Sequence, residues 1–283
     1  MKAFIKAILK SKAGTFGWVF LLLFVFISVL SPLLAPHDPT FANLRLRMAP
    51  PTISLTGLGD YPLGNDQLGR DMLSRLLVGS RVTLLVAASA VILGGIGGVL
   101  LGLISGYFGG WPDRIIMRLA DIQLAFPLML LALIIVAVMG PNIRNLIFVL
   151  ALTSWVRYAR IVRGEVLSLR EREFVVSAKA VGAKAWRILL KHILPNAITP
   201  AIIVGTLELA RVIIMESALS FLGLGVQPPN PSWGRMLADG RGYMSSAWWL
   251  ATFPGAAILL LVLSVNLVGD WMRDYFDPRL RGR

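Results

Sequence analysis

An all-α membrane protein with six transmembrane helices is the fold class this sequence predicts, and three observations predict it. Apolar residues make up 56% of the 283 residues and charged residues only 15%, where a soluble domain carries about 25% charged. Apolar stretches near the roughly 20 residues that a bilayer requires recur along the chain. Lysine and arginine collect on alternate connections between those stretches.

The first stretch, Phe16–Leu34, follows Lys2, Lys6, Lys10 and Lys12, with no acid among them. Its apolar run is longer than the 7–15 residues of a signal-peptide core, so it reads as an uncleaved anchor. A long connection, Ala35–Arg81, follows. Its first half is rich in proline and irregular. Its second half, "PLGNDQLGRDMLSRLLVGSR", reads as a helix capped by Asn65 or Asp66, with Leu68, Leu73, Leu76 and Leu77 on one face. That helix either lies on the outer membrane surface or forms a lid or docking surface at a pore mouth.

The second stretch, Val82–Ser105, leads into a repeat. Gly94, Gly98, Gly102 and Gly106 are spaced four apart, and Ala90 extends the row. Residues four apart share a helix face, so the row is a ridge without side chains on which another helix can pack closely. A dinucleotide-binding loop fails as an alternative: the third glycine is misplaced and no strand precedes it.

The remaining stretches are Leu119–Met139, a short Leu146–Ile161 with a polar end, Ile198–Leu222 and Trp248–Val268. The fifth contains Glu208, Arg211 and Glu216, so it cannot face lipid all round. Glu208 and Arg211, three apart, can pair on one helix face. They form either a structural ion pair or part of a water-filled path, and Glu216 is a further candidate for that path.

Charge sets the orientation. With six spans, the N-terminal tail, Gly106–Arg118, Arg157–Pro195 and Asp270–Arg283 lie on one side and carry 19 lysines and arginines, against 8 on the other. The richer side is cytoplasmic, which places both termini there. The same distribution accounts for the net charge of +13 without a nucleic-acid-binding patch. Cysteine is absent, so disulfides and thiol chemistry are excluded, and His37 and His192 lie far apart in sequence, which argues against a metal site.

Between the fourth and fifth spans lies "SAKAVGAKAWRILLKHILPN", Ser177–Asn196. Glu165–Val181 reads as one helix, Gly182 as a turn, and Lys184–Ile193 as a second, amphipathic helix. In that second helix Lys184, Arg187 and Lys191 share one face, and Trp186, Leu189, Leu190 and Ile193 the other. Pro195 is expected to stop straight continuation, because its ring clashes with the carbonyl four residues back. Around the joint Ser177, Ala178, Ala180, Gly182 and Ala183 are small, a surface flanked by cations that another protein can approach closely.

This segment resembles the Glu-Ala-Ala-x₃-Gly-x₉-Ile-x-Leu-Pro pattern of the inner-membrane permeases of binding-protein-dependent ABC importers. Ala178, Gly182, Leu194 and Pro195 fall in register. Val176 stands where the pattern has glutamate, Ser177 where it has the first alanine, and His192 where it has isoleucine. The stretches "PLGNDQLGRDMLSRLLVGSRVTL", "YFGGWPDRIIMRLADIQLAFP", "ESALSFLGLGVQPPNPSWGRML" and "GDWMRDYFDPRL" resemble the second permease of the dipeptide/oligopeptide/nickel branch.

That resemblance implies the type I importer permease fold. Residues 1–80 would hold the tail, anchor and periplasmic loop, residues 81–272 the permease core, and 273–283 a cytoplasmic tail. The implied partners are a homologous second permease, two cytoplasmic ABC ATPases and a periplasmic substrate-binding protein, in the inner membrane. The ATPase-docking coupling helix would include Val176, Ser177, Ala178, Gly182, Ala183, Lys184, Leu194 and Pro195. The chain contains no Gly-Lys dipeptide and hence no phosphate loop, so ATP and magnesium would bind the partner ATPases and this chain would hold no cofactor. Peptides are the implied cargo, ahead of nickel, glutathione-like peptides and other small solutes. An ion-coupled carrier using Glu208 or Glu216 is the reading from another class, although no internal repeat of the kind many carriers show is evident. A membrane enzyme lacks any nucleophile–base set beside the spans.

Overall fold

The computed structural model describes residues 2–54 and 57–276. The end of the last family-like stretch, from Asp277, and the arginines at 279, 281 and 283 lie outside them. The chain begins with α1 (Lys2–Lys10) and α2 (Lys12–Leu34), joined at Ser11, whose hydroxyl accepts from the Gly14 N–H at 3.1 Å and caps α2. α2 turns Gly14, Gly17, Ser28 and Ser31 inward and its large apolar side chains outward, a pattern suited to a helix whose other face meets lipid.

The connection after α2 holds a short 3₁₀ turn, Leu44–Leu46, and an antiparallel pair, β1 (Ile53–Ser54) and β2 (Gly57–Leu58), with Ile53 opposite Leu58. α3 (Met72–Phe108) follows as 37 residues without a break, about 55 Å long. The helix expected from Asn65 or Asp66 therefore begins later. Asp71 is its cap, accepting from the N–H groups of Leu73 (3.3 Å) and Ser74 (2.9 Å). Leu68 lies outside the helix, and no separate surface helix exists here: Leu73, Leu76 and Leu77 belong to the first turns of α3. The division expected between residues 80 and 81 falls inside α3, and the one at 272 inside the last helix.

α4 (Gly110–Ala125) and α5 (Leu128–Met139) replace the single third span. They meet at 91°. Phe126 has an extended backbone (φ −95°, ψ 139°), because the ring of Pro127 crowds the residue before it out of the helical region. α6 (Ile143–Leu169), α7 (Glu173–Ala180) and α8 (Ala185–Ile188) come next. A π-helical turn, Leu189–Ile193, runs straight into α9 (Leu194–Phe221). α10 (Trp233–Gly240), a 3₁₀ turn at Arg241–Tyr243 and α11 (Trp249–Phe276) complete the described chain. Five helical runs are long and apolar enough to cross a bilayer: α2, α3, α6, α8–α9 and α11. The bent α4–α5 pair makes a sixth if it counts as one span.

α3 and α6 form the central pair, and they run parallel. A methyl group on Gly94 would come within 2.8 Å of the Ala151 carbonyl oxygen, one on Gly102 within 2.7 Å of that of Ala159, and one on Gly106 within 2.9 Å of that of Arg163. On Gly98 it would strike the Trp155 carbonyl. Each step of four along α3 is matched by a step of four along α6, so the two backbones stay in register and α3 places no side chain in the seam.

Two apolar clusters hold the bundle. One joins Val86, Leu146, Leu150, Ile213, Leu219, Trp233 and Leu250 toward the end that carries the 35–71 connection. The other joins Leu103, Tyr158, Val162, Val166, Val175, Ile188 and Ile193 at the opposite end. The second packs beneath the chain that joins α6 to α9.

Candidate functional site

At that second end the chain between α6 and α9 forms a compact elbow. α6 stops at Leu169, so the single helix expected over Glu165–Val181 is two. Arg170–Arg172 separates them, and Arg170 donates to the Gly106 carbonyl at the end of α3 (3.3 Å). α7 is anchored by Val175, fully buried in the second cluster. Lys179 lies over the Tyr107 ring, 5.3 Å from its centre.

α7 ends in a Schellman turn. The Gly182 N–H donates to the Lys179 carbonyl (2.9 Å) and the Ala183 N–H to that of Ala178 (3.0 Å). Gly182 has φ +78°, and a methyl group there would touch nothing within 4 Å. Glycine at 182 therefore answers to backbone conformation rather than to space within this chain. Val176 and Ser177 are exposed, as are Gly182 and Lys184, while Ala178 and Ala183 are half-buried against the second cluster.

Pro195 does not end the helix. The Leu194 N–H reaches back five residues to Leu189, and this π-helical turn widens the backbone just before the proline, so helix continues from Ala185 to Phe221. The buried face is not the expected one. Ile188, Leu189 and Ile193 are buried, but Trp186 is 63% exposed and Leu190 54%, so those two do not join the inward face as expected. The outward surface of the elbow thus presents Phe174, Val176, Val181, Trp186 and Leu190 among Lys184, Arg187 and Lys191. It is an apolar and cationic patch on the joint between two bilayer-spanning helices.

A line of ion pairs runs from the elbow along α6. Arg157, Arg160 and Arg163, three residues apart, each meet an acid from another helix. Arg163 holds Asp113 through two contacts (2.5 and 2.7 Å), and Ser105 also donates to that carboxylate. Arg160 meets Asp121 at 2.5 Å. Arg157 meets Glu208 at 2.8 Å, and Arg211 reaches the other oxygen of Glu208 at 3.1 Å. Glu208 is buried, whereas Arg157 is half exposed. Glu216 lies elsewhere. It is fully enclosed on α9, with Ser220 donating to it at 2.7 Å and Ser217 at 3.4 Å. Ser220 in turn accepts from the Val226 N–H, which places Glu216 in the packing that holds the loop after α9. The sequence reading saw Glu208 with Arg211 and missed the arginine row, although the spacing 157, 160, 163 was a signal for it. Among the described residues no group of histidine, aspartate or glutamate is arranged to hold a metal ion.

Helices of bilayer length, a bent pair and an exposed elbow between two of them define an integral membrane protein with a surface open to a partner. The chain belongs to the binding-protein-dependent transport system inner membrane components, whose family model matches residues 98–282, and the N-terminal TM domain of oligopeptide transport permease C matches residues 1–51. Among its relatives is the di/tripeptide transport system permease protein DppC of Pseudomonas aeruginosa, 41% identical over 99% of this chain and 93% of the relative. The probable D,D-dipeptide transport system permease protein DdpC of Escherichia coli is 39% identical, covering 94% of this chain and 87% of that one. The glutathione transport system permease protein GsiD of Pectobacterium atrosepticum is 39% identical over 99% of this chain and 91% of the relative. In fold, the chain matches the MetNI methionine ABC transporter in inward-facing conformations, with a TM-score of 0.57 at 18% identity, covering 73% of this chain and 98% of that one. It also matches an amino acid ABC transporter with histidines, with a TM-score of 0.54 at 16% identity, covering 71% of this chain and 94% of that one. It is a multi-pass membrane protein.

Proposed function

We propose that this chain is one of two permeases in an ATP-driven importer of di- and oligopeptides. The elbow from Val176 to Pro195 would dock on an ABC ATPase, and both termini would lie in the cytoplasm. The single observation that carries the reading is the exposed basic and apolar patch around Gly182, seated on a buried cluster that reaches α3, α6, α7 and α9 together. A push on Val181 or Trp186 would be carried to those helices as a body, since the Schellman turn and the buried Val175 leave little slack. Nucleotide and magnesium would bind the ATPases, and a periplasmic binding protein would deliver the cargo to the far end. The peptide assignment rests on the peptide permeases among the relatives. Glu208 has each of its oxygens on an arginine, which does not favour an ion-coupled carrier.

The test is reconstitution of the full complex in proteoliposomes with its binding protein. ATP-dependent accumulation of a labelled dipeptide is the expected result. Uptake by this chain alone under a proton or sodium gradient would overturn the reading. Nickel accumulation without peptide uptake would reassign the cargo.

A further inference from the structure

Between α4 and α6, at the elbow end, lies a groove of about 750 Å³ with Met117 in its lining. That is within the roughly 300–1,000 Å³ of small-ligand clefts. Four guanidinium groups line it, from Arg114, Arg118, Arg160 and Arg163, against the carboxylates of Asp113 and Asp121. Arg160 and Arg163 are neutralised by those two acids. Arg114 donates only to the Gly110 carbonyl and lies over the Trp111 ring, and Arg118 has no ion-pair partner among the described residues. Two cations are therefore left unbalanced.

The charges are also exposed: the Arg160 side chain at 46% and that of Asp121 at 56%. Arg114, Arg118, Arg160 and Arg163 all fall in Gly106–Arg118 and Arg157–Pro195, the cation-rich connections of the cytoplasmic side, so the groove opens at the water-facing end of the bundle. Two ion pairs and two unbalanced cations all need water or polar partners, which acyl chains do not supply. A wet passage suits both signs. Such a passage would bring the free cations against any anion in transit.

Resting on the peptide-importer reading above, we infer that this groove is a water-filled, net cationic vestibule of the translocation path that receives the carboxylate end of the peptide. Clefts lined by one excess sign of charge concentrate the opposite ion. Here Arg114 and Arg118 would attract the carboxylate, and Asp121 would lie within reach of the amino end.

The absence of cysteine from this chain makes the test direct. Met117→Cys leaves every charge in place and puts a thiol in the groove lining. The assembled complex in proteoliposomes is treated with sulfonatoethyl methanethiosulfonate, its trimethylammonioethyl counterpart or bilayer-soluble N-ethylmaleimide. Modification is read as mass added to this chain. The anionic reagent is expected to react about tenfold faster than the cationic one, and Arg114→Gln with Arg118→Gln to bring the ratio near one. Equal rates, faster reaction of the cationic reagent, or modification by N-ethylmaleimide alone would overturn the inference, the last placing the groove against lipid. Should Met117→Cys not assemble, Arg114→Cys supplies the thiol, with Arg118 retained. Dipeptide uptake by the unsubstituted complex in the same vesicles is scored separately. Its absence would count against the importer reading, and the reagent ratio would still decide the groove.

Discussion

Gly102 of α3 lies so close to Ala159 of α6 that a methyl group on it would come within 2.7 Å of the Ala159 carbonyl oxygen. The obstacle is backbone in a buried helix, which cannot swing aside as a side chain would. Gly102→Leu must therefore push the two helices apart or fail to pack. Overpacking of this kind costs about 1–3 kcal/mol, and here four successive glycines share one seam. Expected outcome: Gly102→Leu lowers the thermal midpoint of the detergent-purified complex, followed by tryptophan fluorescence, while Gly97→Leu does not, since a side chain at 97 meets nothing within 4 Å. Equal destabilisation by both would show that the seam is not the cause.

Gly182 gives the opposite prediction, because its surroundings are open and only its φ of +78° is demanding. A β-carbon in that backbone region costs roughly 1–2 kcal/mol, and asparagine is the residue that tolerates it best. Gly182→Asn should keep the Schellman turn and retain coupling. Gly182→Trp should let the permease insert and assemble, yet cut peptide uptake per ATP hydrolysed at least tenfold. Normal coupling in the tryptophan variant would remove the elbow from the docking surface.

How much of this was legible beforehand depends on the range of the interaction. The glycine row of α3 was readable because a period of four is a local signal with one physical meaning. Five of the six apolar runs stand as crossing helices, since length and hydropathy are properties of the segment alone. The bend at Phe126–Pro127 was in the sequence too, but a single apolar run from 119 to 139 masked it. The turn at Gly182 stands where the sequence puts it, and the details of the helices on either side do not. Pro195 is a helix breaker only if the turn before it stays α-helical, and the π-helical turn at Leu189–Ile193 relieves the clash. The partners of Arg157, Arg160 and Arg163 lie up to 51 residues away, and no helical period reveals them.

The polar lock at the other end of the bundle is a third test. Asp66 is buried, accepts from the N–H groups of Leu68 (2.8 Å) and Arg70 (2.9 Å), and meets the guanidinium groups of Arg70 at 2.6 Å and Arg75 at 3.4 Å. Arg70 and Arg75 are themselves buried. Asp66→Ala would strand both cations and two amides, a loss of about 3–5 kcal/mol. Asp66→Asn keeps an oxygen for the amides and should cost less. Limited proteolysis of the 35–71 connection is the measurement: faster cutting is expected in the order Asp66→Ala, Asp66→Asn, unsubstituted chain. Equal rates in all three would show that the lock does not hold the connection.

Glu208 carries the last prediction, and its neighbours decide the sign. Arg157 comes from α6 and Arg211 from α9 itself, and both reach the same buried carboxylate. Glu208→Gln leaves two cations facing one neutral amide. Arg157 is half exposed and can turn to water, so its loss is small. Arg211 is only 21% exposed and cannot, which sets the cost nearer 1–3 kcal/mol than the full penalty for breaking a buried pair. A second substitution separates packing from charge. Arg211→Met removes the stranded cation, so Glu208→Gln combined with Arg211→Met should recover most of the lost thermal stability. If Glu208→Gln alone were neutral, the ion pair would not be holding α9; if the double variant were no better than the single, Arg211 would not be the group left stranded.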